Sequence, residues 1–271
     1  MLDYNKYKVN IRTLTPVHIG SGEKYSQLDY VFDKNKKKVF IIDFNKIIAN
    51  SGQEIIDNLT REIKNKFDNN RWNGEVNEFF RSYKIDWEDC IVNEILCNSI
   101  GKNEIHQFVS SLGRRYIPGS SIKGALRTCF LFDRISGGGL KSEAEDRIRK
   151  FKDLNPKELP KIKKYADDEI CRLIFGKDAY EDIFKNLAVS DSEFYDNEYI
   201  EVIRAQSYNF KKARKDTSKG KVVDQYIEAV KEDNSIGTEI TLINNEKFDF
   251  KHLIESVNNF SQELIDKEIE L

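Results

Sequence analysis

Residues 114–127 read RRYIPGSSIKGALR, a segment with four basic residues and no acidic one. Ser120 or Ser121 is of the type preferred at a helix N-cap, and apolar residues recur at helical spacing from 122 to 130. The segment therefore predicts a loop that runs into an amphipathic helix. Unpaired N–H groups and the positive end of the dipole make a helix start favourable for an anion. Lys123 and Arg127 share one face of this helix. An ordinary capped helix with exposed basic residues stays open as the alternative.

A second candidate loop lies nearer the N-terminus, where residues 15–23 read TPVHIGSGE. It follows a predicted strand over residues 7–14, in which apolar and polar side chains alternate. Glycines let a ligand approach the backbone closely, and the amides of such a turn can face an anion. His18 fits a general base or a ring that stacks on a nucleobase, although a structural role is commoner for a lone histidine. By itself this loop matches neither a Walker A loop nor a dinucleotide fingerprint.

The remaining pattern predicts an α+β protein. Residues 28–32 and 39–42 predict a β-hairpin, residues 187–194, 199–206 and 236–243 predict further strands, and an amphipathic helix begins near 247. Residues 44–112 are predicted to be mainly helical. This order fits a ferredoxin-like βαββαβ core, possibly two in tandem. We expect a core of residues 1–43 and 113–243, an inserted helical lobe over 44–112, and an acidic C-terminal helix over 244–271.

Charge is segregated along the chain, although the formal net charge is only -2. Residues 211–221 carry six basic residues and one acidic residue, whereas residues 244–271 carry seven acidic and three basic residues. Such segregation is typical of a polyanion-binding surface, and a solvated charged face is the open alternative. The basic segment 211–221 is predicted to be mobile until it meets RNA or a neighbouring subunit.

Several classes of protein are disfavoured by composition. The apolar runs are too short for a membrane span and the N-terminus lacks an apolar leader, so we expect a cytoplasmic protein with no membrane partner. The four cysteines form no CxxC pair and lie far in sequence from the three histidines, which predicts reduced thiols and no structural zinc. We expect no cofactor.

Taken together, the loops TPVHIGSG and YIPGSSIKGALR resemble the RAMP superfamily of CRISPR type III effector subunits. The resemblance covers most of residues 7–243. The chain looks most like the fifth-subunit family of the type III-A (Csm) complex, in which a strand hairpin and a long helical insertion separate the two motifs. The motifs lie about a hundred residues apart here, farther than in the repeated backbone subunit. Members of this family usually end in another glycine-rich segment, whereas only Gly237 follows residue 220 here.

The resemblance implies a subunit that binds crRNA toward its 3′ end and packs against other Csm subunits, especially the repeated backbone RAMP subunit. It also implies that recruited host nucleases trim the crRNA. By matching motif positions, the RNA-facing residues are His18, Gly20, Ser21, Gly22, Ser120, Ser121, Lys123 and Arg127.

Three functions remain open at this point. The leading one is a non-catalytic crRNA-binding and assembly subunit with no catalytic or metal-binding residue. The runner-up is a metal-independent endoribonuclease of the repeat-cleaving kind, in which His18 would act in acid/base catalysis. The third is a scaffold that contacts only protein. Asp33 and the pair Asp191 and Glu193 are the acidic residues considered for catalysis, and sequence spacing alone does not bring them together.

Overall fold

The computed structural model describes residues 4–68, 71–72, 76–101, 104–137, 139–152, 168–207, 223–243 and 249–270. The basic segment 211–221 lies outside the described residues. The helices are α1 (Phe44–Asn50), α2 (Gln53–Lys66), α3 (Val76–Ser82), α4 (Gly119–Ser136), α5 (Lys141–Lys152), α6 (Asp168–Phe175) and α7 (Phe250–Ile269). Among the described residues, none of these helices is both long and apolar enough to cross a membrane.

The strands occur in groups between these helices. They are β1 (Tyr4–Arg12), β2 (Gly20–Tyr25), β3 (Tyr30–Asp33), β4 (Lys38–Ile42), β5 (Phe67–Asp68), β6 (Arg71–Trp72), β7 (Ile91–Cys97), β8 (Ile105–Phe108), β9 (Ser110–Ser111), β10 (Arg114–Arg115), β11 (Leu187–Val189), β12 (Ile200–Ser207), β13 (Val223–Val230) and β14 (Ser235–Ile243). The mixture of sheets and packed helices confirms the predicted α+β class.

The chain forms two compact units. The first unit comprises Met1–Asn10, Ile117–Glu193 and Gly237–Leu271, and the second comprises Ile11–Tyr116 and Phe194–Ile236. These divisions fall at positions other than the predicted limits of the core and the inserted lobe, and that predicted organisation stays a prediction.

The second unit is built on a seven-stranded sheet of order β2-β8-β13-β12-β7-β4-β3. Most neighbours are antiparallel, whereas β12 runs parallel to β7 and β13 runs parallel to β8. The predicted hairpin is confirmed, because β3 pairs antiparallel with β4. An apolar cluster joins the β3 end of the sheet to helices α1 to α3, and it includes Val31, Ile42, Ile47, Phe79 and Phe80. Strand β2 lies at the other end of the strand order, so it is an edge strand of the described sheet.

The first unit has a three-stranded sheet of order β1-β14-β11 against which α4 packs. Its core contains Phe130 from α4 and Leu253 from α7, together with Phe175 at the end of α6 and Phe184 after it. The predicted C-terminal amphipathic helix is confirmed as α7. The Asp249 carboxylate begins this helix by accepting the His252 N–H at 2.7 Å.

The prediction that residues 44–112 are mainly helical is correct for α1 to α3 and wrong from Ile91 onward. Residues 91–97 form β7, whose partners β4 and β12 lie on either side of it in the sheet. Alternate residues of β7 are buried, among them Ile95 and Cys97, whereas Val92 and Leu96 are exposed. Sheet pairing with segments distant in sequence therefore decides the conformation here, and local composition does not.

Candidate nucleic-acid interface

His18 lies in the second unit, just before the edge strand β2. Its Nδ1 lies 2.6 Å from the Glu228 carbonyl oxygen. A carbonyl can only accept, so Nδ1 carries the proton and Nε2 is the nitrogen left for another partner. The Phe108 ring meets the imidazole edge to face, with 6.1 Å between ring centroids. These contacts fix the ring of a side chain that is only partly buried.

The glycine-bearing loop continues directly from His18 into β2. Residues 20–24 are all exposed. A Cβ atom at Gly20 would lie 3.1 Å from the His18 Nε2, which is tighter than an ordinary contact. Gly22 has a φ of +89°, which favours glycine, and the ladder between β2 and β8 shifts register between Gly20 and Lys24. The result is an exposed, irregular strand edge that other backbones can approach closely.

A second histidine lies beside this edge. His106 is opposite Lys24 in the ladder between β2 and β8. Burial lowers the pKa of His106, and the charges of Lys24 and His18 lower it further, while Glu104 opposes the change. The structure thus favours the neutral form of His106 at neutral pH, with Lys24 paired to the Glu104 carboxylate at 2.9 Å.

Behind the edge lies a buried ion pair that sequence reasoning missed. The Arg115 Nη2 donates to the Glu228 Oε1 at 2.6 Å, and the two side chains are 4% and 1% exposed. The other carboxylate oxygen of Glu228 accepts the Phe108 N–H at 2.8 Å. Burial, with the nearby Glu228, raises the pKa of Tyr25 to about 12, while Arg115 opposes the change. The sequence indicates this ion pair only by placing an acidic residue, Glu228, on the same strand face as the apolar side chains of Tyr226 and Val230.

The start of α4, in the first unit, differs from its prediction. Neither Ser120 nor Ser121 is the N-cap, because Pro118 occupies that position and makes no side-chain cap. The Gly119 N–H instead donates to the Asp191 Oδ1 at 2.8 Å, so a carboxylate from a distant loop already occupies one donor of the predicted anion site. Ser120 and Ser121 are exposed. Asp191, which was considered as a catalytic acid, therefore acts at this helix start.

Gly119 is also required by packing. A Cβ atom there would overlap the Val189 carbonyl oxygen and lie 2.8 Å from the carbonyl carbon and oxygen of Ser190. Further along the same helix, a Cβ atom at Gly124 would meet nothing within 4 Å. The two glycines of the motif thus have different surroundings.

Lys123 and Arg127 both have partners within the first unit. The Lys123 ammonium donates to the Leu187 carbonyl at 2.6 Å. Burial lowers the pKa of Lys123; nearby Asp182 opposes this and Arg127 adds to it. The Arg127 Nη1 contacts both oxygens of Asp182, at 2.8 and 3.0 Å, and its guanidinium lies 3.6 Å from the centroid of the Phe175 ring. Both cations therefore help to hold α4 against its neighbours.

The eight predicted RNA-facing residues fall into two groups. His18, Gly20, Ser21 and Gly22 are consecutive features of one loop and strand in the second unit, and the Ser21 hydroxyl accepts the Glu23 N–H at 3.1 Å. Ser120, Ser121, Lys123 and Arg127 occupy the first turns of α4 in the first unit. Contact of any of them with RNA stays a prediction.

Comparison with known proteins identifies the family of the chain. A family model described as the RAMP superfamily matches residues 10–268. The Csm5 protein of Methanocaldococcus jannaschii is 30% identical over 224 residues, which cover 77% of this chain and 48% of that protein. The Csm5 protein of Streptococcus thermophilus is 29% identical over 256 residues, which cover 90% of this chain and 66% of that protein. The chain thus spans about half to two thirds of the length of these relatives.

Two solved structures have a similar fold. The crystal structure of T. onnurineus Csm5 matches with a TM-score of 0.70 at 19% identity, covering 96% of this chain and 80% of that one. A chain in the cryo-EM structure of a type III-A Csm–crRNA–target RNA ternary complex matches with a TM-score of 0.68 at 18% identity, covering 97% and 77% of the two chains. At these identities the likeness concerns the fold, and it agrees with the predicted ferredoxin-like architecture.

Proposed function

Because this chain belongs to the RAMP superfamily, we propose that it is a non-catalytic, crRNA-binding subunit of a type III-A CRISPR complex in the cytoplasm. The observation that carries the proposal is the exposed edge at His18 and Gly20–Tyr25. An edge strand presents unpaired backbone N–H groups, and its glycines remove the side chains that would keep a phosphate away. Backbone donors of this kind contact RNA phosphates whatever the base sequence.

The named relatives support the biological setting of this proposal. Relatives called Csm5 occur in three organisms, among them Enterococcus italicus, and one matching fold is a chain of a complex that contains crRNA and target RNA. We assign this chain the corresponding partners, namely the crRNA near its 3′ end, the repeated backbone subunit, and host nucleases that trim the crRNA.

The start of α4 supplies a second set of proposed RNA contacts. The hydroxyls of Ser120 and Ser121 are exposed and fit a phosphate or a ribose 2′-OH. Lys123 and Arg127 keep unused donors beyond their intramolecular bonds, since an ammonium has three N–H groups and a guanidinium has five. A phosphate could therefore share these cations with the Leu187 carbonyl and the Asp182 carboxylate.

The geometry favours the non-catalytic function over an endoribonuclease. Acid/base cleavage of RNA needs one group that accepts a proton and another that donates one. A backbone carbonyl orients His18, where a carboxylate would stabilise a charged imidazole better. Burial and the charges of Lys24 and His18 lower the pKa of His106, so at neutral pH this histidine seldom carries the proton that a general acid has to donate. Neither histidine is therefore well prepared for this chemistry.

Filter binding of the full chain to labelled single-stranded RNA tests the proposal. We expect retention that weakens steeply as salt rises from roughly 50 to 300 mM, since phosphate contacts release counterions. Replacing Gly22 by Val should weaken retention, because the side chain blocks the strand edge. Gly139→Val is the matched control, since Gly139 is exposed, has a similar φ of +73°, and a Cβ there also meets nothing within 4 Å. Absence of retention at low salt would refute RNA binding and leave the protein-only scaffold.

A further inference from the structure

In the second unit an isolated antiparallel bridge joins two extended segments, and the side chains around it point to two opposite faces. Arg115 is paired with Tyr195, whose N–H donates to the Arg115 carbonyl at 2.8 Å. Successive side chains of extended segments point to opposite faces. Arg115 and Tyr195 are each 4% exposed, whereas the neighbouring Phe194 is 41% exposed. The face opposite the buried pair therefore carries Arg114, Tyr116 and Phe194.

On this outer face an arginine rests on an aromatic ring. The Arg114 guanidinium carbon lies 4.4 Å over the centroid of the Phe194 ring. The Tyr116 ring meets Phe194 edge to face, with 5.9 Å between centroids and 76° between planes, which fixes the orientation of Phe194. No carboxylate of the described residues pairs with Arg114, which is exposed. The cation is thus held in position by a ring and keeps its charge for an external partner.

Arg114 also lines a cleft of about 810 Å³ that is rich in hydrogen-bonding groups. The cleft lies within the second unit, and its polar lining includes Tyr25, Asp29, Asn93, Gln107 and Asn197. Tyr195 lines it as well, and its buried hydroxyl has no hydrogen-bond partner among the described residues. A volume of this size and a few converging polar groups are typical of a small-ligand site.

We propose that Arg114 and Phe194 form a stacking pair that binds one unstacked nucleobase of single-stranded RNA, with the edge of the base in the cleft. The proposal rests on the RNA-binding function and specifies one contact of it. Guanidinium groups and aromatic rings are the usual surfaces on which proteins stack splayed bases. The carboxylates of Asp29, Asp43 and Asp196 also line the cleft. They accept hydrogen bonds from the amino groups of a neutral base edge but would repel a phosphate or an acidic side chain, so a base edge is the group that fits the cleft.

The test uses the full chain and an RNA that contains 2-aminopurine, whose fluorescence falls when the base stacks. Arg114→Lys keeps the charge and removes the planar group, whereas Phe194→Leu keeps an apolar side chain and removes the ring. We expect each variant to bind about 5- to 100-fold more weakly, in the range found for loss of one base stack, and to abolish the fluorescence change. Arg114→Lys should leave the salt dependence unaltered. Arg12→Lys, at an exposed arginine paired with Asp233, is the matched control.

A second RNA separates stacking from charge. An oligonucleotide with abasic residues should bind the wild-type chain as weakly as it binds Arg114→Lys. Competition by free adenosine monophosphate would assign the site to mononucleotides and overturn the RNA proposal. If both variants stay folded and bind the intact RNA as the wild type does, the stacking pair is wrong while RNA binding stands. If the wild type itself fails to bind RNA, the proposed function fails as well.

Discussion

Replacing Gly119 by Ala should destabilise the first unit more than any other single methyl added to α4. The new Cβ would overlap the Val189 carbonyl oxygen and lie 2.8 Å from the Ser190 carbonyl carbon and oxygen, where contacts below 3.0 Å essentially never occur. Since these atoms are backbone, the helix start has to move away from them. Overpacking of this kind costs about 1–3 kcal/mol.

The same movement stretches the hydrogen bond from the Gly119 N–H to the Asp191 Oδ1, now 2.8 Å long. A hydrogen bond to a charged acceptor contributes about 1.5–3 kcal/mol. We therefore expect Gly119→Ala to lower the free energy of unfolding by roughly 3–5 kcal/mol, a large share of the total stability of an ordinary domain.

Gly124→Ala is the matched control for this experiment. It adds the same methyl to the same helix, at an exposed position where the methyl meets nothing within 4 Å. Helix propensity alone then predicts a gain of about 1 kcal/mol. Chemical denaturation followed by circular dichroism measures both variants. The reasoning is refuted if Gly119→Ala lies within about 1 kcal/mol of the wild type, since the overlap and the hydrogen bond would then carry no energy.

Three further changes have defined outcomes. The double variant Lys123→Ala with Arg127→Ala should reduce the slope of log affinity against log salt by about 1.4 if each residue contacts a phosphate of single-stranded RNA. It should also lower the free energy of unfolding, because the contacts of Arg127 with Asp182 and with the Phe175 ring are lost. An unchanged slope in a folded double variant would limit both residues to packing. His18→Ala should leave the length of labelled repeat RNA unchanged, and a product band that only the wild type gives would restore the endoribonuclease. Burial raises the pKa of Asp133, but hydrogen bonds from α7 outweigh burial, so the pKa is lowered overall. The ionised Asp133 therefore stabilises the fold above the unfolded pKa near 4, and this stabilisation is lost as the pH falls through the folded pKa. The loss of stability caused by Asp133→Asn, measured by denaturation, should accordingly shrink below about pH 4.

Patterns among neighbouring residues predicted the strands and helices that depend on short-range sequence. Alternation identified β1, the polar loop between β3 and β4 identified the hairpin, and helical spacing identified α7. Strands β8 and β13 were missed, because β8 is four residues long and its parallel partner follows about 120 residues later. Pairing over such a distance leaves little trace in a single sequence.

The candidate site shows the same limit at the level of single residues. The two motifs identified the exposed loop at His18 and the start of α4, but they did not predict what holds them. The partner of the Gly119 N–H is an aspartate 72 residues away, and the partner of Arg115 is a glutamate 113 residues away. A motif gives residue types and their spacing, whereas the hydrogen-bond partners of those residues within the protein depend on the three-dimensional fold.

The buried Glu228 carboxylate links segments of the second unit that are far apart in the chain. One oxygen binds the Arg115 guanidinium on β10, and the other binds the Phe108 amide at the end of β8. Any local opening that releases the Phe108 amide also removes one hydrogen-bond donor from a buried carboxylate, which costs about 1.5–3 kcal/mol. The amide proton of Phe108 should therefore exchange with solvent more slowly than the amide protons of the neighbouring edge strand β2. One buried acid side chain thus opposes the opening of the sheet directly behind the edge that we propose to face RNA.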